Sequence, residues 1–249
     1  MYQNYIFDFY GTLADIRTEE EDPWLWEKVS DIYSAMGASY SSHELQRAFR
    51  RMEKEEKKRA VVSQETEALR AEYQEDMEPD LTKVFLRLYE EKGVDCSPLQ
   101  AKMTAITFRA LSRKYLRVYD GVEELLGELR RRGKKIYLLS NAQSDFTRPE
   151  IDMLGLTKYF DGIFLSSEQG WKKPSPIFFS KLLDKYQLKP SESIMIGNDE
   201  AADIVGAQSV GMDALYIHTA ISPLEYGRVE ADYRVMDGDF RKIGKLILG

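Results

Sequence analysis

The residues of this sequence that are best suited to chemistry are acids, hydroxyls and lysines that follow apolar, strand-like stretches. An aspartate follows YIF, a serine and an asparagine follow KIYLL, and an asparagine and two aspartates come after SIMIG. Two lysines lie in the loop GWKKPSP. These side chains are Asp8, Ser140, Asn141, Lys172, Lys173, Asn198, Asp199 and Asp203.

Each of these side chains, taken alone, has an ordinary structural explanation. Asp8 could cap a turn, Ser140 could cap the next helix, and the late aspartates could stand in the first turn of a helix, whose dipole favours acids. Their joint position at strand ends is harder to explain by chance. Because ligands bind beyond the carboxyl ends of the strands in an open parallel sheet, we expect these side chains to form one site.

Such a site would have a definite chemistry. Two or three carboxylates provide hard oxygen ligands that suit Mg²⁺. A lysine and a hydroxyl group opposite them could hold phosphoryl oxygens, with further N–H groups from helix N-termini. An aspartate can also act as a covalent nucleophile whose intermediate is hydrolysed by water. The pattern therefore favours the transfer of an anionic group from a substrate to water.

Two changes in the character of the chain indicate how this site is positioned. Residues 1–15 and 118–249 alternate continuous apolar strands with amphipathic helices, which is typical of a parallel sheet covered on both faces. Between them, apolar residues recur every three or four positions. We therefore predict an α/β core (1–15 and 118–249) that is interrupted by an all-helical insert (16–117). The predicted insert helices cover residues 22–37, 41–60, 63–77, 80–93 and 97–116.

The composition narrows the possible classes of function. With 43% hydrophobic residues, the 249-residue chain can build a real core, and its net charge of −7 argues against non-specific nucleic-acid binding. The single cysteine, Cys96, excludes an internal disulfide and fits a reducing compartment. The sequence shows neither a signal-peptide pattern nor an apolar stretch of about 18 residues. We expect a cytoplasmic protein that binds no nucleic acid and no membrane.

Four stretches, in order along the chain, resemble the haloacid dehalogenase-like (HAD) hydrolase superfamily. They are FDFYGTL, LLSNA, KKPSPIFF and IGNDEAADIVGAQSVGM. The resemblance covers essentially the whole sequence and implies a Rossmann-like α/β core. It also implies that the helical insert is a cap domain of the subgroup whose cap lies between the first two motifs.

The resemblance assigns roles to the residues of the first two motifs. It implies that Asp8 is the nucleophile and that Tyr10 lends its backbone carbonyl to Mg²⁺. Thr12 and Ser140 would contact the phosphoryl group or its equivalent, with Asn141 beside them.

The last two motifs would supply a lysine and the remaining metal ligands. Lys173, directly before a proline, matches the family lysine better than Lys172 does. Two registers compete after it, because Asn198 and Asp199 both precede Asp203 at a suitable spacing. We expect Asn198 or Asp199 on the metal, and Asp203 either as a ligand through water or as the partner of Lys173.

Position 10 departs from the phosphatase pattern. Phosphatases of the superfamily carry a second aspartate there, which protonates the leaving oxygen, whereas the 2-haloacid dehalogenase branch tolerates Tyr10 because halide leaves without a proton. Other positions argue against that branch: Asp199 is an extra acid, and Phe179 stands where a tyrosine is usual. Its halide-binding arginine has only Arg17 and Arg47 as candidates.

The sequence therefore leaves three functions open. The first is a Mg²⁺-dependent phosphatase that acts on a small phosphorylated metabolite, as a monomer or homodimer. The second is a metal-independent dehalogenase-type hydrolase, and the third is a weakly active relative that binds a phosphorylated metabolite. The cap would choose the substrate, with Trp24 and Trp26 facing the site. We interpret Arg109 and Arg113 as helix-surface arginines, with contact to an anionic substrate as the alternative.

Overall fold

The computed structural model describes residues 2–59, 73–223 and 230–248, and its centre is a six-stranded parallel sheet. The strands lie side by side in the order β5-β4-β1-β6-β7-β8, and two further strands, β2 and β3, form a separate antiparallel pair. The strands are β1 (Asn4–Phe7), β2 (Ala14–Thr18), β3 (Arg113–Val118), β4 (Lys135–Ser140), β5 (Gly162–Leu165), β6 (Ser193–Gly197), β7 (Asp213–Ile217) and β8 (Tyr233–Val235).

The central strands are mostly apolar because both faces of the sheet are covered. All four residues of β1 are buried. Tyr5 and Phe7 contribute to the hydrophobic core on one face, and Ile6 contributes to the core on the other. This continuous burial is the pattern expected of a parallel sheet between two layers of helices. The predicted α/β, Rossmann-like fold is thereby confirmed.

The helices follow the predicted segments closely. The start of α1 is fixed by the side chain of Asp22, which accepts a hydrogen bond from the backbone N–H of Trp24, and a Ser97–Gln100 capping box begins α4. Within the described ranges no helix is both long and apolar enough to span a bilayer. The helices are α1 (Pro23–Ala35), α2 (Ser42–Arg59), α3 (Leu81–Glu91), α4 (Pro98–Ser112), α5 (Val122–Arg131), α6 (Ser144–Met153), α7 (Ser166–Gln169), α8 (Pro176–Tyr186), a π-helix (Glu200–Val205), α9 (Gly206–Gln208) and α10 (Phe240–Ile247), with 3₁₀ turns at Gln74–Asp76, Thr157–Tyr159 and Pro190–Glu192.

The helices of the insert, α1 to α4, pack around a hydrophobic core of their own. Trp26, Phe49, Phe85 and Phe108 meet there with ring centroids between 5.3 and 5.8 Å apart. The helix that we predicted over 63–77 lies largely outside the described residues. The domain boundaries at 15/16 and 117/118 stay a prediction.

The expectation that the insert is all helical is wrong at its two ends. Helix α4 stops at Ser112 instead of continuing to 116, and β3 then pairs antiparallel with β2. The apolar residues of RKYLRV fit helical spacing and strand alternation about equally well over so short a stretch. The partner strand, about 100 residues away in sequence, decides the outcome, and no local pattern reveals it.

Candidate active site

The candidate site lies where the carboxyl ends of β1, β4 and β6 meet. Phe7, the last residue of β1, is in register with Leu138 of β4 on one side and Ile196 of β6 on the other. Asp8 therefore leaves the sheet between Ser140 and the residues that follow Gly197. This register brings together side chains that are far apart in sequence.

Asp8 is buried, and its two carboxylate oxygens have different surroundings. Its Oδ1 accepts hydrogen bonds from Lys173 Nζ (2.6 Å) and Ser140 Oγ (2.9 Å). The nearest donor to its Oδ2 is Thr12 Oγ1, at 3.4 Å, which is long for a hydrogen bond between oxygens. One oxygen is thus held by the protein, and the other is left for a ligand.

Lys173 bridges two carboxylates inside the protein. Its Nζ also donates to Asp203 Oδ1 at 2.7 Å, and both residues are almost fully buried. Burial alone would lower the pKa of Lys173, but the carboxylates of Asp203 and Asp8 outweigh it and the pKa is raised. Burial raises the pKa of Asp203 while Lys173 opposes the shift. We take the pair as ionic because an ammonium with a raised pKa lies in hydrogen-bond contact with Asp203.

Gly197 leaves the space that the Asp203 side chain occupies beside the backbone. A Cβ added at Gly197 would lie 2.1 Å from Asp203 Oδ2, so a larger residue cannot stand there without moving the carboxylate. The same Oδ2 accepts the backbone N–H of Asp199 at 3.0 Å. Both oxygens of Asp203 are therefore engaged, as expected of a residue that holds Lys173.

Asn141 contacts the lysine loop rather than Asp8. Its Nδ2 donates to the backbone carbonyl of Lys173 (2.9 Å), and its Oδ1 accepts the backbone N–H of the same residue (2.7 Å). The side chain therefore fixes the position of the Lys173 backbone. Its predicted contact with the phosphoryl group stays a prediction.

The two competing residues after β6 both lie beside the cavity and have different partners. Asn198 packs over Gly11, and its Oδ1 accepts a hydrogen bond from Thr12 Oγ1 at 3.1 Å. Asp199 caps the π-helix through Oδ1, which accepts the N–H of Ala202 at 2.9 Å. Each keeps lone pairs for a further ligand.

These side chains surround a cavity of about 200 Å³. Among the described residues, no group of three or more His, Cys, Asp or Glu side chains is placed to hold a metal ion. The available donors are two carboxylates and neutral oxygens, and Mg²⁺ typically uses one or two carboxylates together with water and substrate oxygens. The donor set therefore fits Mg²⁺. The cavity is lined by Asp8, Tyr10, Ser140, Asn141, Lys173, Asn198, Asp199, Ala202, Asp203, Ile221 and Pro223.

The side chain of Tyr10 lies between α6 of the core and α4 of the insert. Its hydroxyl group donates to the buried carboxylate of Glu150 and lies 3.1 Å from Thr147 Oγ1, while the Arg109 guanidinium stands 5.2 Å from the centre of its ring. Burial raises the pKa of Tyr10; Glu150 adds to the shift and Arg109 opposes it. Arg113 donates to the same carboxylate at 2.8 Å.

This cluster corrects the interpretation of two arginines. Arg109 and Arg113 are not ordinary helix-surface residues, because both bind Glu150, whose side chain is 4% exposed. The sequence analysis missed Glu150 and Thr147. Their spacing of three on a helix places both on one face, but nothing in the sequence shows that this face meets Tyr10.

The tryptophans also lie elsewhere than expected. Trp26 is part of the hydrophobic core of the insert, and Trp24 is half exposed on its surface. Neither lines the cavity at Asp8. Packing within the insert thus explains Trp26, whereas Trp24 lies on the surface of the insert.

Comparison with known proteins gives a family and several relatives. Residues 2–211 match the haloacid dehalogenase-like hydrolase family. The chain is 32% identical over 165 residues to a phosphoserine phosphatase of Thermus thermophilus, covering 66% of this chain and 64% of that protein. It is 29% identical over 133 residues to a glyceraldehyde 3-phosphate phosphatase of Methanothermobacter thermautotrophicus, covering 53% and 59%. The matches thus span about three fifths of each of these curated relatives.

Solved structures share the fold over nearly the whole length. A 2-haloacid dehalogenase of Pseudomonas syringae has a TM-score of 0.68 at 20% identity, covering 100% of this chain and 99% of that one. A HAD phosphatase of Thermococcus onnurineus has a TM-score of 0.59 at 21% identity, covering 98% and 97%. Since the family match extends over most of the sequence and the architecture agrees, the chain belongs to the haloacid dehalogenase-like hydrolase family.

Proposed function

We propose that this hydrolase is a Mg²⁺-dependent phosphatase that acts on a small phosphorylated metabolite through Asp8. The observation that carries the proposal is the position of Asp8, with Oδ1 held by Lys173 and Ser140 and Oδ2 left without a close protein donor. The names of the two phosphatase relatives, from Thermus and Methanothermobacter, support the same chemistry. In this proposal residues 16–117 form the cap that chooses the substrate.

The reaction would proceed in two displacements. An oxygen of Asp8 attacks phosphorus, the bond to the leaving oxygen breaks, and that oxygen departs with the electron pair. Lys173 and the hydroxyl groups of Ser140 and Thr12 would stabilise the negative charge of the phosphoryl group during its transfer. Water then attacks the phosphorus of the aspartyl phosphate and the P–O bond to Asp8 breaks. The protons of that water stay on the released phosphate or pass to solvent, and the Asp8 carboxylate is restored.

Asp8, Asn198, Asp199 and the carbonyl of Tyr10 would hold the metal ion. When bound, Mg²⁺ would reduce the repulsion between a carboxylate and an anionic substrate and would stabilise the charge of the transferring group. Asp203 would hold Lys173 in place through its ion pair.

Tyr10 limits the leaving groups that this site can expel. Its hydroxyl group is bound to Glu150 and has a raised pKa, which makes it a weak proton donor. A general acid contributes roughly 10² to 10⁴ in rate. We therefore expect poor turnover of alkyl phosphates and better turnover of acyl or aryl phosphates, whose leaving oxygens need no proton.

A dehalogenase-type hydrolase is the second candidate, and Tyr10 is the observation that favours it. Halide needs no proton to leave, so the chemistry at Asp8 could yield an ester without a metal. The two candidate halide ligands give it no support. Arg17 is exposed and paired with Glu19, and Arg47 lies in a groove of the insert, away from the Asp8 cavity.

One experiment separates these functions. Phosphate release from phenyl phosphate is measured with Mg²⁺ and with EDTA, and halide release is measured from 2-chloropropionate. We expect phosphate release that requires Mg²⁺ and falls at least about 10³-fold in Asp8→Asn. Halide release that persists in EDTA would replace the phosphatase with the dehalogenase. Binding of phosphorylated compounds with no turnover would identify a non-catalytic relative.

A further inference from the structure

A second, larger cavity of about 530 Å³ lies between the insert and the loops of the core. It shares Tyr10 and Asn141 with the cavity at Asp8, so the two are neighbours around these side chains. A phosphoryl group at Asp8 would therefore have its leaving group in or beside the larger cavity. The chemistry of that cavity constrains what the leaving group can be.

Most charges around this cavity are already neutralised within the protein. Arg109 is paired with Glu150 (2.9 Å), and Lys57 is paired with Glu75 (2.9 Å). Glu53 lies 3.5 Å from an Arg50 nitrogen. These residues have their charge partners without a ligand.

Three charged residues at the cavity have no such partner. In the described portion of the chain, neither Lys172 nor Lys54 forms an ion pair, and Glu78 forms none either. Glu78 Oε1 accepts a hydrogen bond from Gln143 Nε2 at 2.7 Å, but this amide donor carries no charge. Burial raises the pKa of Glu78, and Lys172 opposes the shift, so the charge of this lysine acts on the carboxylate.

The backbone fixes Glu78 and Lys172 on two adjacent segments. Met77 and Trp171 form an antiparallel bridge, in which the N–H of Glu78 donates to Gly170 (3.1 Å) and the N–H of Lys172 donates to Asp76 (2.8 Å). Lys173 follows directly and reaches Asp8. The carboxylate of Glu78 and the ammonium of Lys172 are therefore both held beside one cavity, next to Lys173. They do not form an ion pair with each other.

We propose that the leaving group carries an ammonium and a carboxylate, with Glu78 binding the ammonium and Lys172 binding the carboxylate. The substrate class is then a phosphorylated amino acid. This inference rests on the proposed phosphatase function. Lys54 is exposed and stands at the rim, where it adds positive charge that attracts an anion.

The test compares phosphates that differ only at the far end. O-phosphotyrosine carries both charges, phosphotyramine lacks the carboxylate, and phenyl phosphate lacks both, while all three release a phenol. O-phosphoserine and phosphoethanolamine form a shorter pair. We expect kcat/KM for an amino-acid phosphate to exceed that of the counterpart without the carboxylate by about 10-fold, the worth of one charge-assisted hydrogen bond.

Two variants test which residue binds each charge of the substrate. Glu78→Gln should reduce the preference for phosphotyramine over phenyl phosphate by about 10-fold, and Lys172→Met should reduce the preference for phosphotyrosine over phosphotyramine by a similar factor. Glu90→Gln and Lys58→Met are the matched controls, because both residues are exposed, neither lines the cavity and neither is paired with a residue that does. Using ratios of kcat/KM removes any general effect on catalysis.

The outcomes separate this inference from the proposed function. No hydrolysis of phenyl phosphate would defeat the phosphatase itself. Hydrolysis of phenyl phosphate with equal kcat/KM across both series would overturn the substrate class and leave the phosphatase standing. Preferences that survive in Glu78→Gln and Lys172→Met would also overturn it, because other groups would then bind the two charges.

Discussion

At the scale of single residues, the proposed function makes a prediction about Tyr10, because the motif FDFYGTL implies that a phosphatase would carry an acid at this position. Tyr10→Asp should raise turnover of alkyl phosphates relative to phenyl phosphate, by up to about 10²-fold, because it restores a proton donor beside the leaving oxygen. The measurement is kcat/KM for phosphoserine and phenyl phosphate in both proteins.

Tyr10→Asn is the matched control for that change. It has the same shape as the aspartate and loses the same hydrogen bond to Glu150, but it cannot donate a carboxyl proton. If the asparagine variant gains as much as the aspartate variant, the missing acid does not explain the behaviour of position 10.

Gly197 allows a second prediction at the residue scale. In Gly197→Ala the added Cβ would overlap the side chain of Asp203, so this side chain must shift and its contact with Lys173 is disturbed. We expect a loss of about 1–3 kcal/mol in the free energy of unfolding and about 10² in kcat/KM for phenyl phosphate.

Gly127→Ala serves as the comparison for this substitution. Gly127 lies inside α5, where the nearest atom to an added Cβ is an Arg131 guanidinium nitrogen at 3.8 Å. This variant should be stabilised by about 0.5–1 kcal/mol because alanine loses less entropy in a helix. Wild-type kcat/KM in Gly197→Ala would show that the contact of Asp203 with Lys173 is not needed for catalysis.

At the scale of elements, the strands and their polar ends could be predicted because both depend on local patterns. The runs YIF, KIYLL and SIMI consist mainly of apolar residues, and strand register alone then brings Asp8 beside Ser140. The β2–β3 pair could not be predicted, because its partner lies about 100 residues away. The cluster around Glu150 was missed for the same reason, since it joins a core helix to the insert.

That cluster is a buried polar link between α4 of the insert and α6 of the core. In Glu150→Gln two arginines lose the buried carboxylate that they share. Because breaking a buried ion pair leaves uncompensated charge, we expect a loss of about 3 kcal/mol in the free energy of unfolding. Urea denaturation measures it.

Glu168→Gln is the control for the loss of one carboxylate. Its pair with Arg148 is partly exposed, so the change should cost no more than about 1 kcal/mol. Equal losses in the two variants would mean that burial adds nothing to the Glu150 pair.

At the scale of the whole molecule, a chain with net charge −7 gathers Asp8, Asp199 and Asp203 at one cavity, together with Lys173. The sequence allowed the convergence of Asp8, Lys173 and Asp203 to be predicted, because strand ends of a parallel sheet share one edge. The partner of each oxygen could not be predicted. Asn141, for example, binds the backbone of Lys173, and only the path of that loop determines this contact.

The same surplus of negative charge predicts that Mg²⁺ stabilises the fold even without substrate. A ligand that binds only the folded state raises the free energy of unfolding by about 2.7 kcal/mol at 100 times its Kd. Millimolar Mg²⁺ should therefore raise Tm, and added NaCl of equal ionic strength should not.

Asp199→Asn should weaken the Mg²⁺-induced shift in Tm, because it removes one of the carboxylates that line the cavity. Asp31→Asn, which changes an exposed acid on α1, should leave the shift intact. A Tm that is independent of Mg²⁺, or a shift of equal size in both variants, would contradict a metal site between Asp8 and Asp199.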